Sequence, residues 1–250
     1  ELKKEGVLAV RMDVNDAASI ESAREEIDRL TQGYGVDVVV NNAGYGLFAP
    51  MEMVDDADLR AQFETNVFGL HAVTRAFVPA IRARGRGRII NVSSVGGRMV
   101  FPFGGAYHAT KYAVEAMSDA LRMELLPFGI DVSIIEPGYI KTNFTATTLG
   151  PLDKSRTPDS PYAHAMKIVD GIEERLARVG AEPVVISKAI AHAAEARRPR
   201  ARYVAPWINS FGPWFRALLP TRLLDWALRR VAGLAQRPAL AAPKRELVAG

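Results

Sequence analysis

Residues 94–111 read Ser94-Val-Gly-Gly-Arg-Met-Val-Phe-Pro-Phe-Gly-Gly-Ala-Tyr107-His-Ala-Thr-Lys111. A serine is followed by a tyrosine thirteen positions on and by a lysine four beyond that. Tyr107 and Lys111 stand at i and i+4 at the start of a helix-like run, so both side chains leave from one face. An ammonium near a phenol stabilises the phenolate and is expected to lower its pKa from about 10 toward neutrality. A phenol tuned in this way exchanges a proton with an alcohol or carbonyl oxygen near physiological pH. Ser94 ends the predicted strand Arg88 to Ser93, and its hydroxyl can hydrogen-bond the same oxygen. Standing alone, Tyr-x-x-x-Lys is a spacing that surface helices produce by chance.

The flanks change that weighing. Upstream, Val36-Asp37-Val38-Val39-Val40 is a β-branched run that reads as a fully buried parallel strand and leads into Asn41-Asn42-Ala43-Gly44. Downstream, Asp131 to Glu136 is a second such run, ending in Pro137-Gly138-Tyr139-Ile140-Lys141-Thr142. Val7 to Met12 reads as a further strand, with Gly6 as the C-cap of a preceding helix. Asn15 or Asp16 caps a helix to about Thr31, with Ile27 and Leu30 on its inward face. Asp55 or Asp56 opens a long helix to about Arg84 that contains Asn66, and Pro79 is expected to kink or break its last turns. Gly104 or Gly105 opens the Tyr107 helix, which stops near Leu126. Helices are expected over about 160–179 and 183–196, and a last strand over 202–205. Strands alternating with helices indicate an α/β fold with a doubly wound parallel sheet. In such sheets ligands sit beyond the C-terminal strand ends, where Asn41, Ser94 and Pro137 all fall.

In order and spacing these motifs resemble the short-chain dehydrogenase/reductase family over roughly residues 7–206. The features are Asn-Asn-Ala-Gly at 41–44, Asn66, Ser94, Tyr107, Lys111 and Pro-Gly-x-x-x-Thr at 137–142. The resemblance implies a Rossmann-like domain and an NAD- or NADP-dependent enzyme that interconverts an alcohol and a carbonyl. It implies Tyr107 as acid or base, Lys111 as its tuner, Ser94 as the group polarising the substrate oxygen, and Asn66 as part of a proton relay through a widened helix. It further implies cofactor contacts at Asp13, Val14, Asn41, Ala43, Gly44, Tyr107, Lys111, Pro137, Gly138, Ile140 and Thr142. Read from the residues alone, Asn41, Ala43 and Gly44 are also a strand-to-turn cap, Asp13 a turn residue, and Asn66 an exposed helical asparagine.

No glycine-rich strand-to-helix turn precedes Asn41 in the 250 residues, and the first is Glu1. The fold is therefore expected to lack its first βαβ portion, with the loop that cradles the cofactor pyrophosphate outside this sequence. On that expectation this polypeptide binds cofactor weakly, and a non-catalytic fragment is the alternative reading. Leu-Pro-Phe-Gly at 126–129, Arg-Tyr-Val at 202–204 and the run 218–225 resemble the family's branch acting on steroids, retinoids and other lipophilic alcohols. A 3-oxoacyl reductase is the runner-up. Phe101, Pro102, Phe103, Tyr139 and Phe144 either line an apolar substrate pocket or pack the interior.

Composition narrows the rest. With 48% hydrophobic residues the chain can bury one sizeable core. There is no cysteine, so thiolate chemistry and disulfides are excluded and a reducing, cytoplasmic compartment is expected. The four histidines are scattered, and no metal site is expected. The net charge of +4 is uneven: 197–250 carries +9 and the remainder −5. Residues 1–206 are read as the catalytic domain and 207–250 as a basic, amphipathic extension with a disordered end. All three tryptophans lie in 207–234, among arginines. That segment is expected either to pack over the substrate pocket or to touch a membrane peripherally. The implied partners are a small lipophilic alcohol or ketone and further copies of the chain in a homodimer or homotetramer, with no nucleic acid.

Overall fold

The β-branched runs become four parallel strands, side by side in chain order: β1 (Val38–Asn41), β2 (Gly87–Val92), β3 (Ile130–Pro137) and β4 (Arg202–Ala205). The structure is a computed structural model and describes residues 6–142 and 155–235. The helices are α1 (Ala17–Leu30), α2 (Asp56–Phe63), α3 (Leu70–Ala83), α4 (Gly105–Leu125), α5 (Ala163–Val179), α6 (Val184–Glu195), α7 (Phe211–Leu218) and α8 (Thr221–Val231). Register pairs Asn41 with Asn91 and Pro137 with Ala205, which brings the C-terminal strand ends to one edge of the sheet.

Successive strand residues point to opposite faces, and here both faces are covered. Val39, Ile89, Ile130 and Val132 pack with Ile20 of α1, Val73, Phe77 and Ile81 of α3 and Leu125 of α4. Ile90, Ile135 and Tyr203 pack on the other side with Ala193 of α6, flanked by Val38, Val92, Ile186 and Ile190. That two-sided cover is why the strands read as continuous apolar runs rather than as alternating ones. Each fully buried isoleucine contributes about 1.5–3 kcal/mol by leaving water. The arrangement is an α/β, Rossmann-like parallel sheet with flanking helices, followed by a C-terminal helical pair.

Several local expectations meet their physical cause. The Asp16 side chain accepts a hydrogen bond from the Ala18 N–H, capping α1 as its position suggested. Ile20, Ala23 and Ile27 form the inward face of α1, whereas Leu30, its last residue, is exposed. Pro79 does not end its helix: α3 runs through it to Ala83. Val7 to Met12 is not a strand, because no described strand lies beside it to form a ladder, and Val7 and Leu8 are exposed. The outer edge of β1 likewise has no partner strand among the described residues. Phe144 and the tail beyond residue 235, expected as pocket lining and as a disordered end, lie outside the described residues.

Candidate active site

The site is built where β1, β2 and β3 end. Ser94 follows β2 and caps a short 3-10 turn, its Oγ accepting from the Gly96 N–H at 3.0 Å and donating to the Pro137 carbonyl at 3.4 Å. That second bond ties the Ser94 loop to the end of β3. Tyr107 sits in the first turn of α4 and is hydrogen-bonded to Ser94. The thirteen-residue spacing therefore closes into a direct contact. Phe48 stacks on the Tyr107 ring, with centroids 5.4 Å apart.

Lys111 lies one turn along α4 and is buried. Its ammonium donates to the Val92 carbonyl at 2.9 Å and stands 5.7 Å from the centre of the Tyr107 ring. The expected lowering of the phenol does not appear in this arrangement. Burial pushes Tyr107 up to about 12, with the Ser94 hydrogen bond opposing. Burial pulls Lys111 down to about 8, with Glu115 opposing. Desolvation disfavours the charged form of each, and at this separation it outweighs their attraction. The phenol is thus held protonated, as a donor, and the lysine titrates near neutrality.

Asn66 is buried, not an exposed helical residue. The chain between α2 and α3 winds as a π-helix over Glu64–Gly69, the widened turn expected around this position. Its side chain is committed on both ends. Asn66 Oδ1 accepts from the Tyr45 N–H at 3.0 Å, and Nδ2 donates to the Tyr45 carbonyl at 2.8 Å and to Thr110 Oγ1 at 3.0 Å. Thr110, in turn, donates to the Tyr107 carbonyl at 2.8 Å, so one chain of bonds joins the π-helix to the tyrosine's own backbone. Thr110 was not singled out in the sequence. A threonine inside the Tyr-x-x-x-Lys turn was the available signal, since such hydroxyls bond back to their helix.

The remaining candidates separate by environment. Asn41 is buried and spends its amide on Thr74 and Asn91, at 2.9 and 2.8 Å, so its side chain ties β1 to α3 and β2. Ala43 and Gly44 are exposed beyond the end of β1. A side chain at Gly44 would stand 2.9 Å from Asn66 Oδ1 and 3.8 Å from Lys111 Nζ, so glycine leaves the floor between them open. Asp13 is exposed and accepts from the Asn15 N–H at 2.9 Å, while Val14 packs into the space over Gly69. Gly138 donates to the Ala205 carbonyl at 2.9 Å and is overlain by Asn209, which leaves no room for a Cβ. Ile140 bridges to Ala181, and Thr142 is exposed at the end of the described segment. Asn209 carried no sequence signal; only the fold brings it onto this loop.

These observations test whether a nicotinamide cofactor fits. The open floor at Gly44, the buried ammonium of Lys111 near it, and the Pro137–Gly138 turn tied to Ser94 suit a ribose and an amide ring. Among the described residues no glycine-rich turn stands before β1 to hold a pyrophosphate. A groove of about 380 Å³ opens at the start of α4, lined by Met51, Val100, Phe101, Pro102, Phe103 and Gly105 on one side and by Asp225, Leu228 and Arg229 of α8 on the other. A second groove, about 520 Å³, lies between residues 9–11 and α1 and includes none of the site's residues.

His108 is packed behind the site. It is buried, its Nδ1 meets the Gly96 carbonyl at 3.0 Å, and burial lowers it to about 4, so it is neutral. A Cβ on Gly104 would come within 2.5 Å of His108 Nε2, and one on Gly96 would overlap Nδ1. Gly96→Ala is accordingly expected to destabilise the fold by about 1–3 kcal/mol through overpacking, read as a fall in the urea midpoint at unchanged slope. An unchanged midpoint would mean that the histidine has room to yield. Among the described residues no cluster of acidic and histidine side chains is arranged to hold a metal.

A protonated phenol bonded to a serine hydroxyl, with an ammonium one turn away and an open floor at the strand ends, is an arrangement able to donate a proton to an oxygen. Residues 1–150 match the short chain dehydrogenase family. The uncharacterized oxidoreductase YbbO of Escherichia coli K12 is 37% identical over 90% of this chain and 78% of its own length. A 3-ketodihydrosphingosine reductase of Bacteroides thetaiotaomicron is 33% identical over 90% of this chain and 84% of its own. Human retinol dehydrogenase 16 is 35% identical over 86% and 71%. Among solved structures, a short-chain dehydrogenase from Streptomyces avermitilis superposes with a TM-score of 0.66 at 29% identity, covering 88% of this chain and 78% of that one. A 3-ketoacyl-(acyl-carrier-protein) reductase from Brucella melitensis complexed with NADH gives 0.62 at 25% identity, covering 79% and 76%. The chain is an oxidoreductase by class. It belongs to the short-chain dehydrogenase/reductase family.

Proposed function

We propose that this protein interconverts a lipophilic ketone and its alcohol with NAD or NADP, using Tyr107 as the proton donor. The Ser94–Tyr107 contact beside a buried Lys111 is the observation that carries the reading. When bound, the nicotinamide supplies or accepts hydride. Ser94 Oγ and the Tyr107 hydroxyl converge on one substrate oxygen. With its phenol held protonated, Tyr107 donates to a carbonyl oxygen as charge develops there. Lys111 holds positive charge beneath that proton and reaches the ribose side of the Gly44 floor. Asn66 and Thr110 fix the turn that carries the tyrosine and extend a polar path away from Lys111. Ala43, Gly44, Pro137, Gly138, Ile140 and Thr142 border the nicotinamide end, with Asp13 and Val14 at the adenine end. Asn41 acts from behind, as the tie that sets the end of β1.

The substrate class rests on the apolar wall of the 380 Å³ groove, where Met51, Phe101 and Phe103 face Leu228. Two relatives with lipid-like substrates in their names, a sphingoid base and a retinoid, support it. On this reading 1–206 is the catalytic domain, and the extension that begins at 207 contributes one wall of the groove through α8. A 3-oxoacyl chain is the competing substrate, favoured by the likeness to the Brucella reductase. Turnover of a long-chain or polyene ketone should exceed that of a short 3-oxoacyl thioester; the reverse order would reassign the substrate. The expected compartment is cytoplasmic, with the segment 207–234 at a membrane periphery.

Two further outcomes are expected. The free enzyme's pKa values appear in kcat/KM. Lys111 is charged below about 8 and loses its proton above it, so kcat/KM should fall as pH rises through about 8. A profile flat across that range would remove the charge of Lys111 from the mechanism. Phe68 of the π-helix and Met123 of α4 are exposed apolar residues on the two helical layers that carry Asn66 and Tyr107. Pairing these layers between copies gives a homodimer or homotetramer, which light scattering should report as an even-numbered assembly. A monomer would contradict it.

A further inference from the structure

α7 carries Phe211, Trp214, Phe215 and Leu218 at the i, i+3, i+4, i+7 spacing of a single helical face. In a helix that serves only its own domain, that face turns inward. Here it turns outward. Trp214 and Leu218 are each 61% exposed, Phe211 and Phe215 are exposed with them, and the buried residue of the helix is Pro213. The inward side is small: a Cβ on Gly212 would stand 3.1 Å from Met99 Sδ. Trp207, just before α7, is 70% exposed. α8 divides its apolar residues, turning Leu224, Ala227 and Leu228 toward the domain and Leu223 and Trp226 toward solvent.

Charge identifies what such a face would meet. Within 207–234 Asp225 and Arg229 line the groove, and the charges left outside it are Arg216, Arg222 and Arg230, with no further acid. The Arg230 guanidinium lies 4.7 Å from the centre of the Trp226 ring, and Arg216 lies 5.6 Å from that of Tyr112. Exposed indoles with arginines among them suit the boundary between acyl chains and headgroups, where rings insert and guanidinium groups stay with phosphate. Anionic headgroups add about 1 kcal/mol of attraction per basic residue near the surface. A second copy offering the same face would set these arginines against their own equivalents, which opposes self-pairing. α7 and α8 have 8 and 11 residues, and no described helix is long and apolar enough to cross a membrane, so the contact is with the surface.

We propose that the face formed by Trp207, α7 and the outer side of α8 docks on an anionic lipid bilayer. The inner side of α8 lines the groove beside the Tyr107 helix, so the docked surface adjoins the substrate mouth. Delivery of substrate from the bilayer rests on the lipophilic-substrate reading above, whereas docking rests on the exposed face alone.

Flotation of the 250-residue chain with phosphatidylcholine vesicles, with and without phosphatidylglycerol, tests this without any turnover measurement. The chain should float with the anionic vesicles at low salt and be released by high salt. Trp207→Ser/Trp214→Ser/Trp226→Ser should lose partitioning by tenfold or more, and Arg222→Gln should weaken it by about fivefold. Circular dichroism checks the triple variant, and if it fails to fold, the single exchange Trp214→Ser takes its place. The proposal is overturned if the wild type stays in the soluble fraction with anionic vesicles at low salt, or if a folded tryptophan variant floats as the wild type does. It is equally overturned if that variant instead shrinks the assembly in light scattering, for then the face joins copies of the chain. Failure on vesicles alongside normal ketone turnover would leave the enzyme assignment standing.

Discussion

Tyr107→Phe is expected to lower turnover by about 100- to 10,000-fold, the range of a positioned general acid, while leaving the fold intact. The phenol is buried, stacked on Phe48 and bonded to Ser94. Phenylalanine keeps the ring and its stacking and removes only the hydroxyl. The loss should therefore appear in kcat, with little change in the binding of substrate or cofactor. Steady-state rates with a lipophilic ketone, with circular dichroism as the control for fold, provide the measurement. A folded variant within a few-fold of wild type would take Tyr107 out of the chemistry.

The largest effect on stability is expected at Arg202, in β4. Its guanidinium reaches Glu115 at 3.1 Å, Asp119 at 2.6 Å and Glu136 at 3.1 Å, and so joins the sheet to α4 beyond the turn that carries Lys111. Glu136 is fully buried, and Arg98 is its other cation, at 3.3 Å. Burial and the neighbouring Glu115 carboxylate raise Glu136 above its ordinary value. Arg202→Ala leaves two carboxylates in the interior with one cation fewer. Breaking a buried pair in this way costs about 3–5 kcal/mol. The pH dependence has a definite sign. A carboxyl whose folded pKa lies above its unfolded one stabilises the fold when protonated, and that contribution is lost as pH rises through the folded value. Removing Arg202 raises Glu136 further, so the penalty should be larger at neutral pH than at mildly acidic pH. Urea melts at the two pH values measure it, and a loss that is small or independent of pH would mean that water or Arg98 already compensates the acids.

Most of the candidate site's geometry was legible in the sequence, because its residues sit on short, regular spacings that the fold brings together. The i, i+4 step from Tyr107 to Lys111 and the strand runs before Asn41, Ser94 and Pro137 are local signals, and the fold preserved them. Asn66 stood out because an asparagine is poorly placed inside a helix, and the π-helix is the structural counterpart of that misfit. Three kinds of information were not local. The state of the Tyr107 phenol depends on how much of it is buried against how far Lys111 stands from it, and a spacing argument carries only the second in outline. The role of Asn41 depended on which side of the strand end its amide faced. Asn209 over Gly138, like Arg202 between three carboxylates, joins residues tens of positions apart in sequence, with no motif to announce either. Val7 to Met12 failed as a strand for a related reason: β-propensity forms a strand only when a neighbour accepts its hydrogen bonds.

The central claim is that this chain moves hydride between a nicotinamide and a lipophilic carbonyl, with Tyr107 supplying the proton. Label transfer tests it most directly. The protein is incubated with a long-chain ketone and NADH or NADPH carrying deuterium at both C4 positions of the nicotinamide, and the alcohol product is examined by mass spectrometry. The account predicts deuterium on the carbinol carbon with the wild type and almost none with Tyr107→Phe. An alcohol formed without the label, or equal labelling by the two proteins, would contradict it.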